Sequence, residues 1–162
     1  MRDWLFGWVV LYSILCFGSN AGASRPVLRR AVDLSGVWRI VADPEDRGRT
    51  ERWYEAGRFP EGKRVQVPAA WETALGTDYD GVAWYARDIS VPAFGNQQRV
   101  LLRFHGAATA AQVWVGGTSV GGHTGPWTPF TLDVTSAVRA GRTAQLVVRL
   151  DEKVGHNTQG FL

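Results

Sequence analysis

The chain has 162 residues, about the size of one average domain, which excludes a catalytic barrel of about 250 residues. Hydrophobic residues make up 45% and charged residues 20%, a normal globular composition that excludes a disordered chain. The net charge is only +3, and the arginines alternate with acidic residues instead of forming a basic tract, so we expect no nucleic-acid partner.

The N-terminus predicts a secretory signal peptide over residues 1–23. Arg2 supplies a positive charge, residues 4–17 form an apolar run, and Ala21-Gly22-Ala23 is a small-residue cleavage site. The run is shorter than the roughly 20 residues that span a bilayer, so a retained membrane anchor is the weaker alternative. We therefore expect an exported chain, periplasmic or extracellular, with no membrane attachment after cleavage. The single cysteine, Cys16, leaves with the signal, so no disulfide is expected in the mature chain.

The mature chain contains short β-strand patterns separated by turn signals. Alternating apolar residues or aromatic clusters predict strands at 37–42, 64–67, 81–91, 99–104, 112–115, 118–121, 130–134 and 144–150. Gly116-Gly117 predicts a tight hairpin turn, and residues 135–141 predict a turn or one helical turn. Strands at this spacing, without long helical patterns between them, predict an all-β fold: an antiparallel β-sandwich of jelly-roll type.

The chain divides into four predicted regions. The signal peptide covers 1–23, an N-terminal extension 24–32, and the β-sandwich domain 33–151. Residues 152–162 end on two large apolar side chains, Phe161 and Leu162. We expect this last region to be a truncated linker to a following domain that is missing.

No residues stand out as catalytic or metal-binding. His105, His123 and His156 are far apart in the sequence, and the mature chain has no cysteine, so a zinc site has little support. The sequence has no Gly-x-Ser-x-Gly elbow and no phosphate loop, and its acidic residues lie mostly in turns. We therefore predict no catalytic residue, no metal and no cofactor. Asp133 is predicted to form a turn by binding nearby backbone N–H groups.

Four residues in or beside predicted loops are candidate carbohydrate contacts. Trp127 lies between Pro126 and Pro129, and its flat ring can stack on a sugar. His123 precedes the same loop, and Asp78 and Asp80 can bind hydroxyl groups. Each has a structural alternative: loop packing for Trp127, a structural hydrogen bond for His123 and solvated charge for the two aspartates.

The other tryptophans divide by position. Trp53 and Trp71 lie near turns, where packing is the commoner use and sugar stacking the alternative. Trp38, Trp84 and Trp114 lie inside predicted strands, and we expect them in the core.

Eight segments, in order, resemble a known family: 33–38 (DLSGVW), 67–71 (VPAAW), 81–87 (GVAWYAR), 100–104 (VLLRF), 113–117 (VWVGG), 120–125 (VGGHTG), 128–130 (TPF) and 133–135 (DVT). Together they resemble the N-terminal, galactose-binding-like domain of glycoside hydrolase family 2, which includes β-galactosidases, β-glucuronidases and β-mannosidases. The resemblance implies a jelly-roll sugar-binding domain that precedes an immunoglobulin-like domain and a catalytic (β/α)8 barrel with two glutamates. That barrel is absent from this sequence, so the chain alone is expected to be inactive although the family hydrolyses glycosides.

Three functions remain open. The first is the non-catalytic carbohydrate-binding or scaffold domain of such a hydrolase, a truncated gene product that packs on missing domains through an exposed apolar patch. The second is a free-standing secreted carbohydrate-binding module. The third is an interaction domain that docks on a separately encoded catalytic chain.

Overall fold

The computed structural model describes residues 30–76, 79–107, 109–125 and 128–152, and the backbone of residues 11–17. The elements within these residues are strands β1 Leu11–Phe17, β2 Ala31–Asp33, β3 Gly36–Ala42, β4 Lys63–Val67, β5 Val82–Ser90, β6 Gln98–Phe104, β7 Ala110–Val115, β8 Thr118–Thr124, β9 Phe130–Asp133 and β10 Thr143–Asp151, helices α1 Arg47–Thr50 and α2 Glu72–Leu75, and a 3-10 helix at Thr135–Ala137.

These strands form two antiparallel sheets. One has four strands in the order β2-β1-β6-β9, and the other has six in the order β4-β3-β5-β10-β7-β8. Hydrophobic residues of both sheets meet in one core, so the fold is the predicted all-β, jelly-roll sandwich. No helix in the described part of the chain has the length and apolar character needed to cross a bilayer.

Period-two alternation places the core between the sheets. In β6, Val100, Leu102 and Phe104 are buried, whereas Arg99 on the other face is exposed. These three residues belong to the same cluster as Trp38 and Leu146 of the six-stranded sheet. The inner face of β6 was thus predictable from its residue pattern alone.

The six-stranded sheet is also covered on its outer face. Trp53 and Phe59, from the segment between β3 and β4, pack with Trp84 and Val147 in a second hydrophobic cluster. Aromatic rings extend this cluster through successive contacts. Trp53 packs edge-on against Trp84, Trp84 stacks on Trp114, and Trp114 stacks on Tyr54. Strands β5 and β10 are therefore buried on both faces over most of their length.

The β7–β8 hairpin turns as the glycine pair predicts. Gly116 has φ 57° and Gly117 has φ 82°, the two positive values that a tight turn of this kind requires. The strands on both sides are longer than the pattern indicated, with a register shift after Val113.

Four elements were not predicted as elements. Helices α1 and α2 have four residues each, too few for a periodic pattern. Strand β2 is a short strand near the predicted domain start. Strand β1 lies within the residues predicted as the signal peptide and pairs with both β2 and β6. Cleavage after residue 23 and the domain boundaries stay predictions.

Candidate functional site

One end of the six-stranded sheet gathers most of the loops that carry candidate residues. The register pairs Val82 with Asp151, Asp151 with Ala110, and Ala110 with Thr124. The beginnings of β5 and β7 therefore lie in line with the ends of β10 and β8. We call this edge, with residues 43–46, 79–81, 123–125, 128–130 and 151–152, the loop end of the sandwich.

The structure places two of the four candidate carbohydrate contacts at the loop end. His123 lies in β8, and Asp80 precedes β5 with an exposed side chain. Three strand spacings separate β5 from β8, roughly 14 Å, so these two residues do not share one small site. Trp127 and Asp78 lie outside the described residues, and their roles stay predictions.

His123 is the outer member of a ring stack. Its imidazole lies 4.5 Å from the Phe130 ring, which in turn stacks at 4.5 Å on Phe104, a fully buried residue. Nε2 of His123 is 2.6 Å from Oγ1 of Thr128. The ring is therefore held from the core outward, and the hydrogen bond agrees with the structural alternative for this residue. A sugar contact by His123 stays a prediction.

Gly125 makes room for the hydrogen bond between His123 and Thr128. It has φ +136°, and a Cβ there would lie 2.9 Å from Thr128 Oγ1 and 3.2 Å from His123 Nε2. A side chain at this position would therefore force the hydroxyl and imidazole to shift.

Tyr79 anchors the loop that carries Asp80. Its hydroxyl accepts a hydrogen bond from the Asp43 N–H at 3.0 Å and donates one to the Val82 carbonyl. Burial of the ring, with a smaller contribution from the negative charges of Asp43 and Asp80, raises the pKa of Tyr79. The hydroxyl therefore stays protonated at neutral pH and works as a structural bridge.

Two buried polar groups organise the same end. Asp43 accepts hydrogen bonds of 2.8 Å from the N–H groups of Arg47 and Gly48 and from Nε1 of Trp84. Arg149, only 4% exposed, donates two bonds to Asp46 at 2.7 and 2.8 Å and one to Asp151 at 2.8 Å.

These networks were missed in the sequence because each of them includes a partner that is distant in the chain. Trp84 lies 41 positions from Asp43, and Arg149 lies 103 positions from Asp46. The local pattern gave no signal, because Arg149 alternates with Val148 and Leu150 as a solvent-facing residue of a strand does.

The Asp133 carboxylate forms hydrogen bonds within its own turn. Asp133 accepts hydrogen bonds from the N–H and hydroxyl of Thr135, which confirms its predicted role as a turn former.

The tryptophans of the described residues pack within the protein. Trp53 and Trp71 are 8% and 5% exposed, so their role is packing and not sugar stacking. Trp38 and Trp84 lie in the core as predicted, and Trp114 is partly buried against the outer cluster.

The expected apolar patch is wrong for the described residues. Among their large hydrophobic side chains, only Val37 is exposed, at 47%. The outer cluster explains the difference, because the segment between β3 and β4 covers the sheet face that would otherwise be bare.

Comparison with known proteins gives one consistent family. The model of the glycosyl hydrolases family 2, sugar binding domain, matches residues 74–156. The β-glucuronidase of Paenibacillus borealis is 32% identical over 80% of this chain and 22% of its own length. Human β-glucuronidase is 31% identical over 70% of this chain and 19% of its own length. The chain thus spans about a fifth of the length of these curated relatives.

Solved structures agree with the sequence comparison. The crystal structure of Ruminococcus gnavus β-glucuronidase matches with a TM-score of 0.67 and 25% identity, over 73% of this chain and 21% of that one. The same enzyme in complex with D-glucuronic acid gives the same values. Since the family model spans just over half of the sequence, and relatives and structures agree with it, the chain belongs to the sugar-binding domain family of the family 2 glycosyl hydrolases.

Proposed function

We propose that this chain is the non-catalytic carbohydrate-binding and scaffold domain of a β-glucuronidase-like system, with hydrolysis carried out by a separate catalytic unit. The observation that carries the proposal is that three carboxylates of the loop end are engaged in contacts within the protein. Asp43 is occupied by three N–H donors, and Asp46 and Asp151 hold Arg149. Glycoside hydrolysis needs two carboxyl groups across a sugar-sized gap, and these carboxylates instead bind the loops to the sheet.

The proposed ligand class is a uronic-acid sugar. Relatives are named β-glucuronidases, and a structural neighbour was solved with D-glucuronic acid. At the loop end, His123 is the outer ring of the stack on Phe130 and Phe104, and Thr128 places a hydroxyl beside it. A flat ring next to a polar atom suits the apolar face and polar edge of a sugar. Trp127 lies next to Thr128 in sequence and belongs to the proposed contact.

The proposed location is outside the cytoplasm. The charged start, apolar run and small-residue site of residues 1–23 support export and cleavage. Because residues 24–162 have no cysteine, the exported form would be stabilised by its two hydrophobic clusters and not by disulfides.

A free-standing carbohydrate-binding module is the second candidate. The exposure of Val37 alone among the large apolar residues of the described ranges favours it, since a surface that packs on another domain is usually more apolar. The two candidates differ in one property. A free-standing module binds sugar by itself with useful affinity, whereas a scaffold domain gains affinity only beside its catalytic unit.

The test combines a hydrolysis assay with ligand titration of the full chain. We expect no release of p-nitrophenol from its β-D-glucuronide, and we expect D-glucuronic acid to shift amide NMR signals of β8 and β9. His123→Ala should weaken these shifts, while Thr118→Ala, at the opposite end of β8, should not. Turnover would contradict the non-catalytic role, and equal shifts in both variants would contradict the site. Saturation at micromolar sugar would favour the free-standing module.

Export is tested separately by the mass of the protein recovered from a secreting host. A product beginning at Ser24 is expected. A product that retains residues 1–23 would contradict cleavage and favour the retained membrane anchor, without affecting the binding result.

A further inference from the structure

Strand β1 lies within the residues that we predict to be removed as a signal peptide. Its residues pair antiparallel with β6 from Leu11 opposite Phe104 to Phe17 opposite Gln98, and with β2 on the other side. The same residues form the apolar run of the proposed signal peptide. Cleavage after residue 23 therefore removes an interior strand. It leaves the facing edge of β6 unpaired and takes away the one strand that pairs with β2 in the described sheet.

An emptied position between two strands is well suited to accept a strand. Both neighbouring strands would present backbone N–H and C=O groups without partners, which are costly to leave unsatisfied beside a core. An apolar pocket adjoins this position, lined on one side by Val32 of β2 and on the other by Val100 and Leu102 of β6. Backbone edges together with an apolar pocket are the features used in recognition by strand addition.

The register defines the chemistry of the strand that fits. Val100, Leu102 and Phe104 of β6 are buried, and they pair with positions 15, 13 and 11 of β1. The alternate residues Arg99 and Arg103 are on the other face of β6 and pair with positions 16 and 12.

In β1 the positions opposite the two arginines hold Cys16 and Tyr12, neither of which is an anion. Arg99 already attracts a carboxylate on its other side, since Asp133 of β9 lies 3.2 Å away. Acidic residues at positions 12 and 16 would place opposite charges across the strand pair, which stabilises antiparallel sheets.

We propose that the position between β2 and β6, called here the acceptor slot, binds an extended segment of a separate polypeptide. The segment runs antiparallel to β6, with apolar residues opposite Val100, Leu102 and Phe104 and acidic residues opposite Arg99 and Arg103. The premise is the proposed export, because removal of residues 1–23 is what empties the slot.

The test starts from the folded full chain with a tobacco etch virus protease site introduced within residues 18–29. After cutting, three fluorescent peptides compete for the slot: residues 11–17 unchanged, the same peptide with Tyr12→Glu and Cys16→Glu, and this acidic peptide with Ile14→Pro. We expect the acidic peptide to bind about two- to tenfold more tightly than the unchanged one by anisotropy. The proline peptide should bind roughly tenfold more weakly or worse, because proline cannot complete the ladder.

A chain variant with Arg99→Ala and Arg103→Ala serves as the matched control, and it should bind the acidic and unchanged peptides equally. If loss of the cut segment unfolds the chain, recovery of its melting transition on addition of the acidic peptide, and not of the proline peptide, supports the proposal.

Three results would overturn the acceptor slot: equal binding of the proline peptide, preference for the unchanged segment, or a dimer of the cut chain with a second copy in the slot. Retention of residues 1–23 in the exported protein would contradict the premise that cleavage empties the slot, whatever the peptides do.

Discussion

Gly48 is a tightly constrained residue, because its backbone passes close to two tryptophan rings. Gly48 in α1 is buried, and a Cβ there would lie 2.6 Å from Cε2 of Trp84 and 2.7 Å from Cε3 of Trp53. We expect Gly48→Ala to lower the free energy of unfolding by about 1–3 kcal/mol, measured by urea denaturation. At Gly95 an added Cβ would have its nearest neighbouring atom 3.9 Å away. Gly95→Ala should therefore change the free energy of unfolding by less than about 0.5 kcal/mol. Equal effects would show that α1 does not pack on these rings.

Asp133 links stability to pH. The hydroxyl of Thr135 at 2.6 Å, its N–H at 3.0 Å and nearby Arg99 lower the pKa of Asp133 below the ordinary 3.8. Because the folded pKa is the lower one, the stabilisation is complete above pH 3.8 and is lost as the pH falls through the folded value.

Asp133→Asn should therefore be less stable than the natural chain at pH 7, and the difference should shrink toward pH 3. Urea titrations at pH 7, 4 and 3 measure it, with the exposed Asp88→Asn as the control for loss of one charge. A difference that does not vary with pH would contradict the linkage.

At the scale of elements, the predictable parts were those fixed by local sequence. Alternation alone located β3, β6 and β10 to within one or two residues, and the glycine pair located the β7–β8 turn. Helix α1 has no such pattern, because it is held by Asp43, whose carboxylate also bonds Trp84 far along the chain. The apolar run of β1 predicts a signal peptide equally well as a strand, since both require the same residues.

The loop that precedes α1 is held to β10 by the ion pair between Asp46 and Arg149. Asp46 has φ 55°, a conformation that asparagine also tolerates, so Asp46→Asn removes the charge without straining the backbone. Arg149 is almost fully buried, and we expect this change to cost about 1–3 kcal/mol in urea denaturation. Glu45→Gln, which breaks a highly exposed pair with Arg47, should cost under about 0.5 kcal/mol. Similar costs would mean that Arg149 does not depend on Asp46.

At the scale of the whole molecule, strand order decides which loops meet. His123, in β8, and Asp80, just before β5, lie at the same end of the sandwich. Three strand spacings still separate them, because β10 and β7 lie between β5 and β8. Local sequence predicts neither the shared end nor the separation, because β5 and β10 pair across more than fifty residues of chain. The sequence therefore indicated candidate residues and the sandwich class, but not the grouping of the candidates.

Layering also predicts how the molecule opens. Strands β5 and β10 lie inside the six-stranded sheet with the inner core on one face and the tryptophan cover on the other, whereas β8 is an edge strand with mostly exposed residues. By hydrogen exchange, we expect the amides of Trp84–Ala86 and Val147–Leu150 to exchange only on global unfolding, roughly a hundredfold or more slower than those of β8. In Gly48→Ala, exchange of β5 and β10 should accelerate by the factor that matches its loss of unfolding free energy, while β8, which opens locally, should be unchanged. Protection of β8 equal to that of β5 would contradict this order, because it would require the edge strand to open only with the whole sandwich.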